Sequence, residues 1–232
     1  DLWGSSYLLS FLAGQAMHGA VQAGGTLTRP RVQDDPLYSW IGGTRTGQPP
    51  LIGSLPNQFE VECSKDPRDV ALAAESALIK AWRQVCEAVR ERYLPDVGSA
   101  TRSIWERQIG SFWELTWVVA NAGQVGLLAR RKHWRTHRLS DEPGDKCTIM
   151  HDLQELSGQV RARSRAEQDR FWASVRARTS RLDVREDERL CSIALVKRLF
   201  VRVAEKALGW SVDASSWPST VTVAAVPWLR QV

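Results

Sequence analysis

The chain has 232 residues, 43% of them hydrophobic and 25% charged, with a formal net charge of +5 and a pI near 9.3. These proportions exclude collagen, long disordered tails and coiled-coil rods, and the length provides for one large or two small domains. No apolar run reaches the roughly 20 residues that a bilayer-spanning helix needs, and no signal-peptide pattern is present, so a cytoplasmic chain without a membrane partner is expected. The four cysteines, Cys63, Cys86, Cys147 and Cys191, are far apart in sequence and read as reduced thiols rather than a secreted disulfide framework.

Trp3, Tyr7, Leu8, Phe11 and Leu12 share one stripe at helical spacing, extended by Ala13 and Ala16, and predict a helix over 2–20 that Gly24-Gly25 ends. A stretch rich in Gly and Pro follows from Thr26 to Leu55, with room for one short strand near Leu27 to Val32. Gln58-Phe59-Glu60-Val61-Glu62-Cys63 alternates polar and apolar and predicts a strand with one buried face. From Asp69 to Tyr93 the helical period returns, with Val70, Ala74, Ala77, Leu78, Ala81, Trp82, Val85 and Val89 on one side. A short helix around Ile104 to Ile109 leads into Phe112-Trp113-Glu114-Leu115-Thr116-Trp117-Val118-Val119, whose β-branched and aromatic content favours a strand over a continued helix.

This order is helix, strand, strand, helix, strand. One further strand in front would make it β-α-β-β-α-β, the ferredoxin-like arrangement. Because that leading strand would lie inside the sheet, either the chain has another fold or the strand comes from residues before Asp1. Beyond Asn121 the chain turns polar, basic and helical. Helices are expected over Ala166 to Arg178, anchored by Phe171, Trp172 and Val175, and over Glu186 to Leu208, stopped by Gly209. Trp217 to Val223 holds a turn and room for a short strand. The fold class is therefore α+β: a ferredoxin-like domain over 1–121 that lacks its first strand, followed by a basic, mainly helical domain over 122–232. The tryptophans at 82, 113, 117 and 172 fall on predicted buried faces.

The positive charge is concentrated. Residues 122–185 carry fourteen Lys or Arg against eight Asp or Glu, a surplus of six, so the rest of the chain is close to neutral. Arg130-Arg131-Lys132-His133-Trp134-Arg135 sets an aromatic ring among cations, as a surface facing a polyanion does. An Arg-rich solvated face accounts for the same count equally well.

His151-Asp152 spells the pair found in metal phosphohydrolases, but such a centre needs several His and Asp ligands, and only His18, His133, His137 and His151 are present at spacings that close no site. Cys147 and His151 resemble half a zinc site, yet no CxxC occurs anywhere, which speaks against zinc. Cys63, Cys86 and Cys191 read as small buried hydrophobes on strand or helix faces. Asp34-Asp35 reads as a surface turn, and no phosphate-binding loop, nucleophile elbow or dinucleotide fingerprint is present.

Four segments, taken in order, resemble a known family. They are Asp1-Leu2-Trp3-Gly4-Ser5-Ser6-Tyr7-Leu8-Leu9-Ser10, Gly53-Ser54-Leu55-Pro56-Asn57-Gln58-Phe59, Glu188-Arg189-Leu190-Cys191 with Val196-Lys197-Arg198-Leu199-Phe200, and Pro218-Ser219-Thr220. They look like signatures of the large, palm-domain subunit of type III CRISPR–Cas effector complexes of the Cmr kind, type III-B. Many members of that family carry cysteine pairs near Cys147, where this chain has one cysteine. The resemblance implies that the chain corresponds to the first of two palms and the helical domain after it. In intact members two palms hold ATP and a divalent metal, Mg or Mn, and target RNA triggers synthesis of cyclic oligoadenylate. The Gly-Gly-Asp-Asp metal motif belongs to the second palm, and an HD nuclease domain often precedes the first. Neither is in this chain, so no catalytic residue and no cofactor bound by this segment alone is expected, and whether it acts in an enzyme is left open.

The resemblance further implies neighbouring subunits, guide RNA and target RNA as partners. Ser6 occupies the family's serine position and is expected to contact nucleotide together with Gly4 and Ser5, which stand where the family more often has Ala-Gly. A helix start suits a triphosphate through its free N–H groups and dipole, although without the resemblance Ser5 and Ser6 read as helix-start residues without a ligand. RNA or partner contacts are expected from Arg130, Arg131, Lys132, Trp134, Arg135, Lys197 and Arg198. The rival expectation is a structural, RNA-binding module of a complex without cyclase activity.

Overall fold

The computed structural model describes residues 2–64, 66–121, 123–124, 126–132, 141–180 and 182–213. The stripe of Tyr7, Leu8, Phe11, Leu12 and Ala16 forms one face of helix α1, Leu2–Gln22, and all five side chains are buried. Gly24 adopts φ +97°, the left-handed conformation that lets the chain turn from α1 into the first strand. Strand β1, Gly25–Arg29, pairs antiparallel with β2, Glu60–Cys63, with Thr26 opposite Glu62 and Leu27 opposite Val61. The strands expected near Leu27 to Val32 and over Gln58 to Cys63 are present with shifted bounds, and among the described residues they form the only sheet.

Between them lies a short helix, α2, Pro36–Ile41, where the sequence suggests only loop. Asp35 caps it: the side chain accepts from the Tyr38 amide at 2.8 Å, and Pro36 supplies a pre-set φ at the first helical position. Asp35 is thus a cap beside an exposed Asp34, as befits a surface turn.

Helix α3, Pro67–Tyr93, is the longest element and packs along α1. Asp66 caps its start through the Arg68 amide, and Val70, Ala74, Ala81, Trp82, Val85, Cys86 and Val89 are its buried side. Helix α4, Ser99–Ser111, is longer than the sequence suggests and ends beneath Trp82, whose Nε1 donates to the Ile109 carbonyl at 3.0 Å. Burying a side chain of this size contributes on the order of 2–3 kcal/mol, and the bond satisfies the indole N–H.

The strand expected over 112–119 is not formed. Residues 112–120 run without helix or strand, because their aromatic side chains pack against helices instead of pairing with a neighbour strand. Phe112 stacks on Trp82 at 5.9 Å, and Trp113 meets the same ring edge-on at 5.6 Å. Trp117, expected to be buried, is 41% exposed, and Val118 and Val119 face solvent with it.

The second half contains α5, Leu127–Lys132, α6, Arg161–Ala177, and α7, Ser192–Leu208. Helix α6 starts earlier than predicted but carries a kink at Ser164 (φ −135°, ψ 45°), so its regular part begins close to the expected Ala166. Helix α7 starts later than the expected Glu186: residues 188–190 instead lie against the 148–156 segment, with Thr148 N–H donating to the Arg189 carbonyl and Leu156 N–H to that of Leu190. Cys191 caps α7 through the Ala194 amide, and Gly209 at φ +82° stops it as expected. Helix α7 packs on α1, α3 and α4, and its buried residues join those of α1 and α3 in one apolar cluster. The turn and strand expected over 217–223 lie outside the described residues.

Candidate functional site

The first three turns of α1 are enclosed by two segments distant in sequence. On one side is α7. Gly4 is buried there, and a β-carbon on it would stand 3.4 Å from Val201 Cγ2 and 3.9 Å from the Lys197 carbonyl oxygen. On the other side is the loop 50–55. A β-carbon on Gly53 would stand 2.8 Å from Tyr7 Cα, 2.9 Å from Ser10 Cβ and 3.1 Å from the Ser6 carbonyl oxygen, so only a glycine lets the loop backbone lie this close to the helix.

Hydrogen bonds fix the loop. The Leu55 amide donates to Ser10 Oγ at 2.6 Å, and Ser10 Oγ donates to the Leu55 carbonyl at 2.9 Å. Tyr7 Oη donates to the Pro50 carbonyl at 3.0 Å and accepts from Trp210 Nε1 at 3.0 Å, while its ring lies 6.1 Å from Phe200. Three of the four signature segments, from α1, the 53–59 loop and α7, therefore meet around the start of α1. The fourth, Pro218-Ser219-Thr220, lies outside the described residues.

At this end of the molecule Gly4 is buried, Ser5 is half-buried and Ser6 is exposed. No acidic residue occupies the first turn of α1, so the positive end of the helix dipole is not offset by a carboxylate of that turn. Lys197 is half-buried, its Nζ 4.9 Å from the centre of the Phe112 ring, and among the described residues it has no carboxylate partner. Burial holds its pKa below the ordinary lysine range. A helix N-terminus and an exposed hydroxyl share this end of the fold, a combination suited to an anion, whereas the Lys197 ammonium lies against the Phe112 ring.

Tyr7, beneath the serines, is fully buried, which pushes its pKa up to about 12 against the opposing effect of the Trp210 bond. Sequence reasoning missed Gly53, Ser10, Tyr7 and Trp210 as the residues that set this geometry. The only signal was the resemblance of the two segments, since nothing local shows that residues 43 to 45 positions apart touch.

Among the described residues the expected RNA-facing cations lie on two helices, α5 and α7. Arg130, Arg131 and Lys132 lie on α5; Arg130 is exposed, and Arg131 stands 3.9 Å from Glu114. Trp134 and Arg135 lie outside the described residues. Arg198 is directed into the protein: its Nη1 bonds Glu188 at 2.7 Å and the Asp183 carbonyl at 3.0 Å, with both members of the ion pair 12% exposed. Several arginines of the basic segment also have carboxylate neighbours. Asp169 serves Arg161, Arg165 and Arg189, and its pKa is held down first by the hydrogen bonds from Arg161 and Arg189. Arg170 pairs with Glu167 and Arg178 with Asp96.

His151 and Asp152 are both exposed, and among the described residues no three His, Cys, Asp or Glu side chains gather as a metal site. Trp40 is buried edge-on against Trp210 at 5.7 Å. No helix among the described residues is long and apolar enough to cross a membrane.

Residues 1–87 match the family described as CRISPR-associated protein Cmr2, N-terminal. No curated protein matches the chain. The matched residues include α1, α2, β1, β2 and the 53–59 loop, and most of α3. The match supports a large subunit of a Cmr-type, multi-subunit type III CRISPR complex.

Proposed function

We propose that this chain forms the first palm and following helical domain of the large subunit of a type III-B effector complex, and that the start of α1 is one wall of its ATP site. The observation that carries the reading is the junction of α1 with the 53–59 loop and α7. The family match covers the first two of these, and the exposed Ser6 lies beside them on a helix whose first turn carries no acidic residue. The α-β-β-α order of α1, β1, β2 and α3, with an antiparallel β1–β2 pair, is compatible with a ferredoxin-like palm.

In this reading Ser6 and the N–H groups of the first turn hold phosphate. The metal-binding aspartates and the second palm come from elsewhere in the subunit. The chain otherwise acts as a scaffold, with α5 and its surroundings facing guide or target RNA or neighbouring subunits.

The test is ATP binding and cyclic oligoadenylate output of the intact subunit carrying Ser6→Ala. Removing one charge-assisted hydrogen bond to phosphate, worth about 1.5–3 kcal/mol, weakens ATP binding roughly tenfold or more. Unchanged affinity removes Ser6 from the site. The second reading, a scaffold without cyclase activity, draws on the in-house pairing of Arg198 and the α6 arginines, which gives these cations a structural role. It predicts no ATP binding by the wild-type subunit.

A further inference from the structure

Cys147 and Cys191 are 44 positions apart in sequence, yet the fold closes them into a pair of contacting thiols, both fully buried. The contact is held on several sides by backbone hydrogen bonds. Thr148 N–H donates to the Arg189 carbonyl at 2.8 Å, Leu156 N–H to the Leu190 carbonyl at 3.0 Å, and Cys147 N–H to the Leu153 carbonyl at 2.8 Å. Arg189 N–H returns a bond to Thr148 Oγ1 at 3.3 Å.

The two sulfurs have different surroundings. Cys147 Sγ accepts the amides of Ile149 at 3.5 Å and Met150 at 3.3 Å, and it accepts from the Cys191 thiol. Cys191 Sγ caps α7 by accepting the Ala194 amide at 3.4 Å. Among the described residues no third ligand joins the two sulfurs, and two sulfurs do not make the four-coordinate site that zinc requires. What a contacting pair of thiols can do is exchange two electrons.

We infer that Cys147 and Cys191 form a redox-active dithiol that hydrogen peroxide converts to a disulfide, with Cys147 as the attacking sulfur and Cys191 as the resolving one. The Cys147 thiolate attacks one peroxide oxygen and the O–O bond breaks, giving a sulfenic acid and hydroxide. The Cys191 sulfur then displaces hydroxide from the sulfenic sulfur as the S–S bond forms. The thiol protons leave with the two oxygens as two molecules of water, both sulfurs are oxidised by one electron each, and peroxide is the two-electron acceptor.

The roles follow from the donors. The Cys191 thiol bond, then the surrounding amides, favour a thiolate at Cys147, whereas the same neighbour and burial disfavour one at Cys191. Peroxide is close to water in size, and the segment 141–157 that covers the pair holds no helix or strand beyond the single Lys146–Gln154 bridge; peroxide reaches the sulfurs when this segment opens, against the buried bonds from Gln108 and the Gln154 amide to Glu142 and from Trp172 to Glu155. The disulfide ties this segment to the first residue of the α7 cap. In a reducing compartment it is a transient, sensing modification and not a permanent staple.

The test treats the chain with hydrogen peroxide, denatures it, alkylates the remaining thiols with N-ethylmaleimide and maps the peptides. The expected result is a Cys147–Cys191 linked peptide with Cys63 and Cys86 alkylated. The oxidised chain melts about 10 °C higher, because the link closes a loop of about 45 residues. With dimedone present, Cys191→Ser yields a dimedone adduct at Cys147, while Cys147→Ser yields none at Cys191. Recovery of all four cysteines alkylated, a link that involves Cys63, or a dimedone adduct at Cys191 overturns the inference. The wild-type peptide map decides the matter even where a serine variant fails to fold.

Discussion

Two glycines in the signature segments should respond to the same substitution with opposite signs. In Gly53→Ala the new methyl group would stand 2.8 Å from Tyr7 Cα, 2.9 Å from Ser10 Cβ and 3.1 Å from the Ser6 carbonyl oxygen. Two of these are main-chain atoms of a well-packed helix, so the loop must move away instead. Overpacking of this kind costs about 1–3 kcal/mol. The displacement also strains the paired bonds between Ser10 and Leu55 and the Tyr7 bond to the Pro50 carbonyl, worth roughly 1 kcal/mol each. A total loss of about 2–5 kcal/mol lowers the melting temperature of a chain this long by roughly 5–15 °C.

Gly4→Ala is the control. Its methyl group would meet Val201 Cγ2 at 3.4 Å, an ordinary contact, on a helix where alanine is favoured over glycine by about 0.5–1 kcal/mol. That variant should be neutral or slightly more stable. Urea denaturation of the wild type and both variants measures the difference, and an unperturbed Gly53→Ala beside a destabilised Gly4→Ala would refute the packing described around α1.

Alkaline pH should unfold the chain partly through Tyr7. Its pKa is about 12 in the folded protein against 10 unfolded, so its stabilisation is complete below pH 10 and is lost as pH rises to about 12, a loss of roughly 2–3 kcal/mol. Burial also raises Tyr38 and Tyr93, so Tyr7→Phe should flatten the pH 10–12 slope of stability only in part. A slope unchanged by Tyr7→Phe would show that Tyr7 titrates normally. Reversing charge at Arg130 and Arg131 in the intact subunit should weaken RNA binding several-fold and make it less steeply dependent on salt, as loss of phosphate contacts does. A gel shift equal to wild type would assign these residues to plain surface.

The helices were the most legible part of the sequence, for a physical reason: α1, α3, α6 and α7 each place one apolar stripe on the common cluster, and the 3.6-residue period records this locally. Segment 112–119 was misread because β-branched and aromatic residues describe a surface that packs, not the partner it packs on. Trp113 found Trp82 on α3, and Phe112 found that same ring and Lys197 of α7, in place of a neighbouring strand. Helix α2 was written in Asp35-Pro36 but is too short to show periodicity. The start of α7 was misplaced because residues 188–190 are held by hydrogen bonds from residues 148 and 156, which no local pattern reveals. Around the candidate site, Ser6 was legible only through resemblance. The close approach of Gly53 and the Tyr7–Trp210 bond depend on contacts 46 and 203 positions apart.

The central claim is that this chain is part of a Cmr-type large subunit assembled on RNA. Its most direct test is to isolate the intact, tagged subunit from the cells that express it, sequence the RNA that accompanies it and identify the bound proteins. The account predicts repeat-derived guide RNA together with the other subunits of a type III complex. A subunit that elutes alone, or with RNA unrelated to a CRISPR array, would contradict it.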